Sequence, residues 1–181
     1  MLTPRTGTRA AQLRRLGAED LPAIEEHLLG LGSRDRQSRF HGAVSDMAVA
    51  AYVRRIDPAR SVLVGATDAP TNNIVGLAEA HPAEAPRTVE MAVSVDPLFR
   101  QQGLGSRLLA RAIELAFANG AEMAEFVFPP DNRPLVALIR GLGAHISAAR
   151  GQAWISASPK TSTAKSLDSF PAHTLAHTSA A

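Results

Sequence analysis

Two glycines separated by one residue mark the segment of the sequence best suited to bind a phosphate group. Arg100-Gln-Gln-Gly103-Leu-Gly105 follows a β-type stretch and precedes an amphipathic helical pattern. A helix that begins at such a loop directs unpaired backbone N–H groups and the positive end of its dipole towards one point, which favours an anion such as a pyrophosphate. Glycine at 103 and 105 would let the backbone approach that ligand, because a Cβ atom would stand in the way.

The two best-known glycine-rich phosphate loops do not fit this segment. The dinucleotide-binding pattern requires a third glycine where Leu108 stands, and the P-loop requires a lysine, whereas the first lysine of this chain is Lys160. On the glycines alone, a turn and helix start without any ligand stays open.

The best candidate for proton transfer is a carboxylate upstream of the loop. Glu90 shares one face of a predicted strand with Ala92 and Ser94. We expect partial burial there to raise its pKa towards the range of a general base, although an exposed carboxylate without a catalytic role stays open. Glu79 and His81, on the preceding predicted strand, are the next candidates. The other histidines show no ligand spacing, so no metal is predicted.

The elements that must position these residues alternate between strand and helix patterns. Several antiparallel strands, then one strand–loop–helix–strand unit and a second helix, predict an α/β fold with a mixed sheet. Asp20 is a predicted helix start, Asp46 is the predicted cap of a second helix, and Asp131 or Asn132 is the predicted cap of the last helix. The predicted strands are 9–16, 61–68, 72–82, 88–96, 124–128 and a final hairpin at 144–158, and the predicted helices are 20–31, 47–56, 105–119 and 132–143.

The composition of the 181 residues is that of a globular domain, with 45% hydrophobic and 20% charged residues. It shifts at Pro159 towards serine, threonine and alanine, so we expect a folded domain over 9–158 and a flexible tail over 159–181. No apolar run reaches the ~18 to 20 residues of a membrane span, and the N-terminus does not resemble a signal peptide. We therefore expect a soluble, cytoplasmic protein.

Charge and cysteine content exclude further classes of function. The formal net charge is +2, and apart from Arg34, Arg36 and Arg39 the arginines are scattered, so neither nucleic-acid nor membrane binding is expected. The chain has no cysteine, which excludes disulfides, thiolate metal sites and a cysteinyl acyl intermediate.

The glycine loop and a second segment together resemble the GNAT superfamily of N-acetyltransferases. Arg100-x-x-Gly103-x-Gly105 is similar to motif A of that family, Gln/Arg-x-x-Gly-x-Gly/Ala. Asp131-Asn132-Arg133-Pro134, followed by a helix that ends at Leu142-Gly143, is similar to its motif B. The resemblance covers about residues 9–158 and implies a GNAT-like fold, with a central, mostly antiparallel sheet flanked by helices.

The resemblance also implies a co-substrate, acetyl-CoA or another acyl-CoA. Its pantetheine arm would pair with the backbone of Val93 and Val95, and Asn132 would lie near the pantetheine or the departing sulfur besides capping its helix. Arg100 and Arg107 could reach phosphates. The amides implied for the pyrophosphate are those of Gln102, Gly103, Leu104, Gly105 and Ser106.

The activity that the resemblance implies is acetyl transfer to a primary amine. An alkylamine is mostly protonated at pH 7, so a base must remove a proton, and several family members have a glutamate at the position of Glu90. An amide near Val93 would stabilise the oxyanion. Without cysteine, direct transfer in a ternary complex is expected.

One departure from the family leaves an alternative function open. Many members have a tyrosine as general acid where this chain has Ile139, and packing is the expected role of its one tyrosine, Tyr52. A non-catalytic, regulatory acyl-CoA-binding module is therefore the alternative.

The acceptor stays open between a protein lysine or N-terminus, a small amine, an amino acid and an antibiotic. Residues 17–60 would bind it, and Ser33–Phe40 resembles a segment of bacterial protein-lysine acetyltransferases. The expected partners are an acyl-CoA and an amine, and a homodimer stays open.

Overall fold

The computed structural model describes residues 11–129 and 131–157, so the predicted tail at 159–181 lies outside the described residues. Within them, no helix is long and apolar enough to cross a membrane. The strands are β1 Ala11–Arg15, β2 Val62–Asp68, β3 Ile74–Pro82, β4 Thr88–Val95, β5 Met123–Val127, β6 His145–Ser147 and β7 Gln152–Ser156. The helices are α1 Leu21–Leu29, α2 Ser33–Phe40, α3 Asp46–Arg54, α4 Leu104–Ala118 and α5 Arg133–Gly141.

All seven described strands form one sheet in the order β1-β2-β3-β4-β5-β7-β6. Only β4 and β5 pair in parallel, which fits their connection through α4, and the other neighbours pair antiparallel. The predicted mixed α/β fold with a mostly antiparallel sheet is therefore confirmed.

Alternation along the central strands divides the core between two faces of the sheet. Val64, Ala78 and Met91 belong to the apolar cluster that α4 covers with Leu108 and Leu109. The opposite face belongs to a second cluster, in which Leu63 and Leu77 pack with residues of α1 and α3 such as Ile24, Leu28 and Val49. Successive residues of a central strand therefore face α4 and the helices α1–α3 in turn.

Two details of the helices differ from the sequence prediction. Helix α2 is absent from the prediction, because Ser33–Phe40 contains one apolar residue and buries none, so it has no amphipathic period. Asp46 is the first residue of α3 rather than its cap, since the side chain of Ser45 accepts the hydrogen bond from the Ala48 N–H. Asn132 caps α5 in the expected way, accepting from the Leu135 N–H at 3.2 Å.

Candidate functional site

A cleft of about 580 Å³ opens where β4 and β5 separate. The two strands pair at three positions, from Thr88 with Met123 to Glu90 with Glu125. Beyond Glu90, the unpaired edge of β4 forms one wall of the cleft. Residues from β4, the loop before α4, the first turn of α4, α5 and α2 line it. The sequence-predicted site residues among them are Glu90, Val93, Val95, Arg100, Gly103, Leu104, Gly105, Ser106 and Asn132.

The loop before α4 leaves the N-terminus of that helix open. Gly103 occupies the N-cap position with φ +71°, a left-handed conformation that favours glycine, and it has no side chain to cap the helix. A Cβ built on Gly103 would meet no described atom within 4 Å. The first N–H groups of α4 therefore lie at the cleft without an intrahelical partner, which makes this end of the helix suitable for an anion.

Glycine is required at position 105 for a different structural reason from the one expected. A Cβ at this position would lie 2.8 Å from Leu138 Cδ1 of α5, so glycine here permits close packing of α4 against α5. Packing thus accounts for Gly105, whereas for Gly103 the role in ligand approach stays a prediction.

Two predicted ligand-binding side chains make hydrogen bonds across the cleft to helix α2. Arg100 donates through Nε to the Val95 carbonyl at 2.8 Å and through Nη2 to Asp35 Oδ2 at 2.7 Å. Asn132 donates through Nδ2 to Ser38 Oγ at 2.8 Å. Helix α2 thus bridges the loop before α4 and the start of α5.

Two further predicted residues lie outside the cleft lining. Gln102 is exposed and is not among the residues that line the cleft. Arg107 lies on the flank of α4 that faces β1, in a depression that it shares with Arg14, Arg15 and Arg111.

The burial expected for Glu90 is wrong, because its side chain is exposed. It stands at the end of the β4–β5 pairing, where the open cleft gives solvent access to the carboxylate. Its nearest neighbour on β3 is His81, which lies opposite it in the antiparallel register and is partly exposed. The location of Glu90 therefore suits proton exchange with water.

Glu79, the second candidate base, is fully buried and engaged by other side chains. Arg39 of α2 forms an ion pair with its Oε2, and the Tyr52 hydroxyl of α3 donates to its Oε1 at 2.9 Å. Tyr52 Oη lies 3.0 Å from His81 Nε2, and His81 Nδ1 lies 2.9 Å from Ser61 Oγ. We call Arg39, Tyr52, Glu79 and His81 the buried polar cluster.

The electrostatics of the buried polar cluster favour charged Glu79 and Arg39. Burial by itself would raise the pKa of Glu79, but Arg39 and His81 hold it well below its ordinary value. Burial and the Glu79 charge together raise the pKa of Tyr52. Glu79 is thus a weak proton acceptor and Tyr52 a poor proton donor near neutral pH.

A second buried polar contact ties α1 to the same face of the sheet. His27 Nδ1 donates to the Ile74 carbonyl at 3.0 Å, and its Nε2 lies 2.8 Å from Ser94 Oγ. Because a carbonyl only accepts, the proton is on Nδ1, and Nε2 accepts from the serine hydroxyl. Burial lowers the pKa of His27, which keeps the ring neutral.

Ile139 is fully buried in the apolar cluster that α4 covers, so its position supplies no proton donor to the cleft. In the described part of the chain, no group of three or more His, Asp or Glu residues could hold a metal ion.

Sequence reasoning missed the cleft residues of α2, namely Asp35, Ser38 and Arg39. The arginine cluster at 34–39 was a usable signal, because a basic residue in a short polar segment needs an acidic partner when it is buried. The partners of α2 could not be read from the sequence, since Glu79 is 40 residues from Arg39 and Asn132 is 94 residues from Ser38 along the chain.

Comparison with known proteins identifies relatives of both the sequence and the fold. Residues 23–144 match the family model described as the acetyltransferase (GNAT) family. No curated protein matches the chain.

Solved structures with the same fold include acetyltransferases of low sequence identity to this chain. The GNAT domain of PAT from S. lividans has a TM-score of 0.66 and 18% identity, covering 81% of this chain and 90% of that one. A phosphinothricin acetyltransferase from Sinorhizobium meliloti, in complex with AcCoA, has a TM-score of 0.64 and 22% identity, covering 89% and 96%. Spermidine N-acetyltransferase from Vibrio cholerae, in complex with CoA and spermine, has a TM-score of 0.60 and 19% identity, covering 81% and 95%.

Proposed function

The chain belongs to the acetyltransferase (GNAT) family, and on that premise we propose that it transfers the acetyl group of acetyl-CoA to a primary amine by direct attack in a ternary complex. Acetyl-CoA supplies the acyl thioester, and the protein supplies the groove, the anion-binding amides and the proton acceptor. The cytoplasmic location expected from the sequence stays a prediction.

The observation that carries the proposal is the open cleft between β4 and β5 with the uncapped N-terminus of α4 at one end. The space beside Gly103, where a Cβ would meet nothing, is room that a phosphate group can occupy. The backbone at Gly103, Leu104, Gly105 and Ser106 would hold a pyrophosphate, and the free edge of β4 at Val93 and Val95 would bind the pantetheine amides. The residues present therefore fit an acyl-CoA.

Glu90 is the proposed proton acceptor, acting directly or through water. It lies at the end of the cleft where the β4–β5 pairing stops, and its exposed carboxylate can pass a proton on to solvent. An amine must lose its proton before it attacks, and a positioned base contributes about 10²- to 10⁴-fold to such a step. A backbone amide near Val93 would stabilise the oxyanion.

The alternative function, a non-catalytic acyl-CoA-binding regulatory module, is favoured by one observation. The side chain that replaces the family's tyrosine, Ile139, is fully buried, and no tyrosine lines the cleft among the described residues. A thiolate can leave without full protonation, so we retain the enzyme as the first proposal.

The test combines calorimetry with acetyl-CoA and an assay for free CoA thiol with a panel of amines. We expect acetyl-CoA to bind and at least one primary amine to release thiol. Gly103→Val should weaken binding by about tenfold or more, equal to at least about 1.4 kcal/mol, because a branched side chain at φ +71° distorts the loop and fills the phosphate position.

Gly120→Val is the matched control, since Gly120 also has a positive φ, +96°, but lies beyond the other end of α4. Equal weakening by both variants would contradict the assignment of the loop. Binding without thiol release from any amine would favour the regulatory module.

A further inference from the structure

Arg39 is a buried arginine that the proposed chemistry does not use. Its side chain is 10% exposed, and it extends from the polar helix α2 into the wall of the cleft. Its ring neighbours are Phe40 and Tyr52, whose ring centroids lie 4.9 Å and 5.2 Å from the guanidinium carbon. These contacts hold the guanidinium in a fixed position.

Most of the hydrogen-bonding capacity of Arg39 is unfilled. Nη2 donates to Glu79 Oε2 and, at 2.7 Å, to the Tyr52 hydroxyl. Nε is buried without a partner, and no hydrogen bond among the described residues involves Nη1. Arginine has five N–H donors, two of them on Nη1. Nε is closed to solvent, whereas Nη1 is not among the buried unpaired atoms, so Nη1 is the donor group that a ligand in the cleft can contact.

Arg36, on the same helix, serves as an internal comparison. Its Nε is also buried without a partner, but Nη1 donates to Asp46 and Nη2 to the Leu29 carbonyl, and Arg36 does not line the cleft. Arg39 therefore combines two features that Arg36 lacks: a free Nη1 and a place in the cleft wall.

Arg39 and Glu90 present opposite charges on one face of the sheet. Glu79, the ion-pair partner of Arg39, lies opposite Ala92 in the β3–β4 register, and Ala92 is two residues beyond Glu90 on β4. Two residues along a strand span about 7 Å. Burial opposes the charge of Arg39, but Glu79 and Tyr52 raise its pKa above the ordinary value, so it stays cationic.

We propose that Arg39 binds a carboxylate of the acceptor, so that the enzyme acetylates small amino compounds that carry an anionic group, rather than polyamines or simple alkylamines. The inference rests on the proposed function. Glu90 takes the amine end of such a molecule, and the free N–H groups of Arg39 take the carboxylate end, which fixes the orientation of the acceptor.

The experiment compares matched amines that differ only in a carboxylate. The pairs are 3-aminopropanoate with propan-1-amine, 4-aminobutanoate with butan-1-amine, and alanine with alaninamide, assayed by thiol release from acetyl-CoA. We expect kcat/KM for the carboxylate member of at least one pair to exceed that of its partner by about tenfold, the scale of one charge-assisted hydrogen bond. A neutral partner that reacts equally well or better in every pair would overturn the proposal.

The double variant Arg39→Gln/Glu79→Gln removes the guanidinium without leaving Glu79 as an uncompensated buried charge. We expect the preference to fall to about onefold while the Kd for acetyl-CoA stays at the parental value. Arg34→Gln, at an exposed arginine of the same helix, should keep the parental preference. An unchanged preference in a folded double variant would show that Arg39 only anchors α2.

A binding measurement separates this inference from the proposed function. Saturation-transfer NMR on the CoA-loaded protein compares N-acetyl-3-aminopropanoate with N-propylacetamide, so it needs no turnover. Stronger binding of the anionic product in the parental protein, lost in the double variant, supports the role of Arg39 even if no amine reacts. Equal binding, or none, contradicts it, whereas absence of acetyl-CoA binding in calorimetry contradicts the proposed function itself.

Discussion

The two faces of the central sheet are stabilised by different physical means. Towards α4, the strands present only apolar side chains in this cluster, such as Val64, Ala78 and Met91, and the helix packs leucines against them. Towards α1–α3, an apolar cluster shares the surface with the buried ionisable side chains of His27 and Glu79.

The two walls of the cleft belong to these two sides of the sheet. The helix on the apolar face, α4, begins at the loop of residues 100–103 that is proposed to bind the pyrophosphate, so packing fixes where its N–H groups point. Helix α2, on the polar side, lines the other wall and is held there by ion pairs and hydrogen bonds, since it buries no apolar residue. The first region thus depends on shape, and the second on charge.

The largest effect is expected when the charge balance of the polar face is broken. Arg39→Met leaves Glu79 as an uncompensated buried carboxylate, so the free energy of unfolding should fall by about 3 to 5 kcal/mol. Urea unfolding measures it, and Arg34→Met, at an exposed position of the same helix, should stay within about 0.5 kcal/mol of the parent. A loss below about 1 kcal/mol in Arg39→Met would contradict the importance of the pair.

A substitution at Glu90 tests whether the polar face affects turnover of the amine without affecting the affinity for acetyl-CoA. Glu90→Gln should lower kcat/KM for the amine by at least about tenfold, and the deficit should shrink as pH rises and more amine is already neutral. The Kd for acetyl-CoA should barely change, because the proposed amides lie further along the chain. Glu26→Gln, at an exposed glutamate of α1, is the control. A parental rate in Glu90→Gln from pH 6 to 9 would leave Glu90 without a catalytic role.

Acid should destabilise the polar face through Glu79. Its pKa falls from an ordinary value of 4.5 to about 2 in the folded protein, so the folded state binds fewer protons than the unfolded chain in that interval. The stabilisation is complete above about pH 4.5 and is lost as pH falls towards 2. In urea unfolding from pH 6 to 2.5, Glu79→Gln should show a smaller acid-induced loss than the parent. Parallel curves would place the acid sensitivity elsewhere.

The smallest effect is expected at the contact that joins the two regions. Asp35→Asn breaks a partly exposed ion pair with Arg100, which should cost less than about 1 kcal/mol of stability. Because Arg100 is then free to turn to a phosphate, the affinity for acetyl-CoA in calorimetry should rise. Asp46→Asn, which breaks the ion pair between Asp46 of α3 and Arg36 of α2 away from the cleft, should leave that affinity unchanged. A weaker affinity in Asp35→Asn would mean that α2 helps to form the acetyl-CoA site.

Most of the sheet and the turn at Gly103 before α4 were predictable because their signals are local. The strand, loop and helix of residues 88–118 follow each other directly, and the cap at Asn132 acts on the N–H of Leu135, three residues away. The resemblance implies that nine residues bind the cofactor. Eight of them line the cleft together with Glu90, Gln102 lies outside the lining, and their binding of a cofactor stays a prediction.

The sequence by itself determined which segment could bind an anion, since the left-handed turn at Gly103 and the helix after it arise from neighbouring residues. Tertiary structure alone decided that Ser33–Phe40 is a helix over the cleft, that Glu79 is a buried ion-pair partner rather than a base, and that Gly105 is a packing position. The physical reason is distance along the chain. A cap or a turn acts within a few residues, whereas burial and charge pairing at Arg39 depend on a strand 40 residues away.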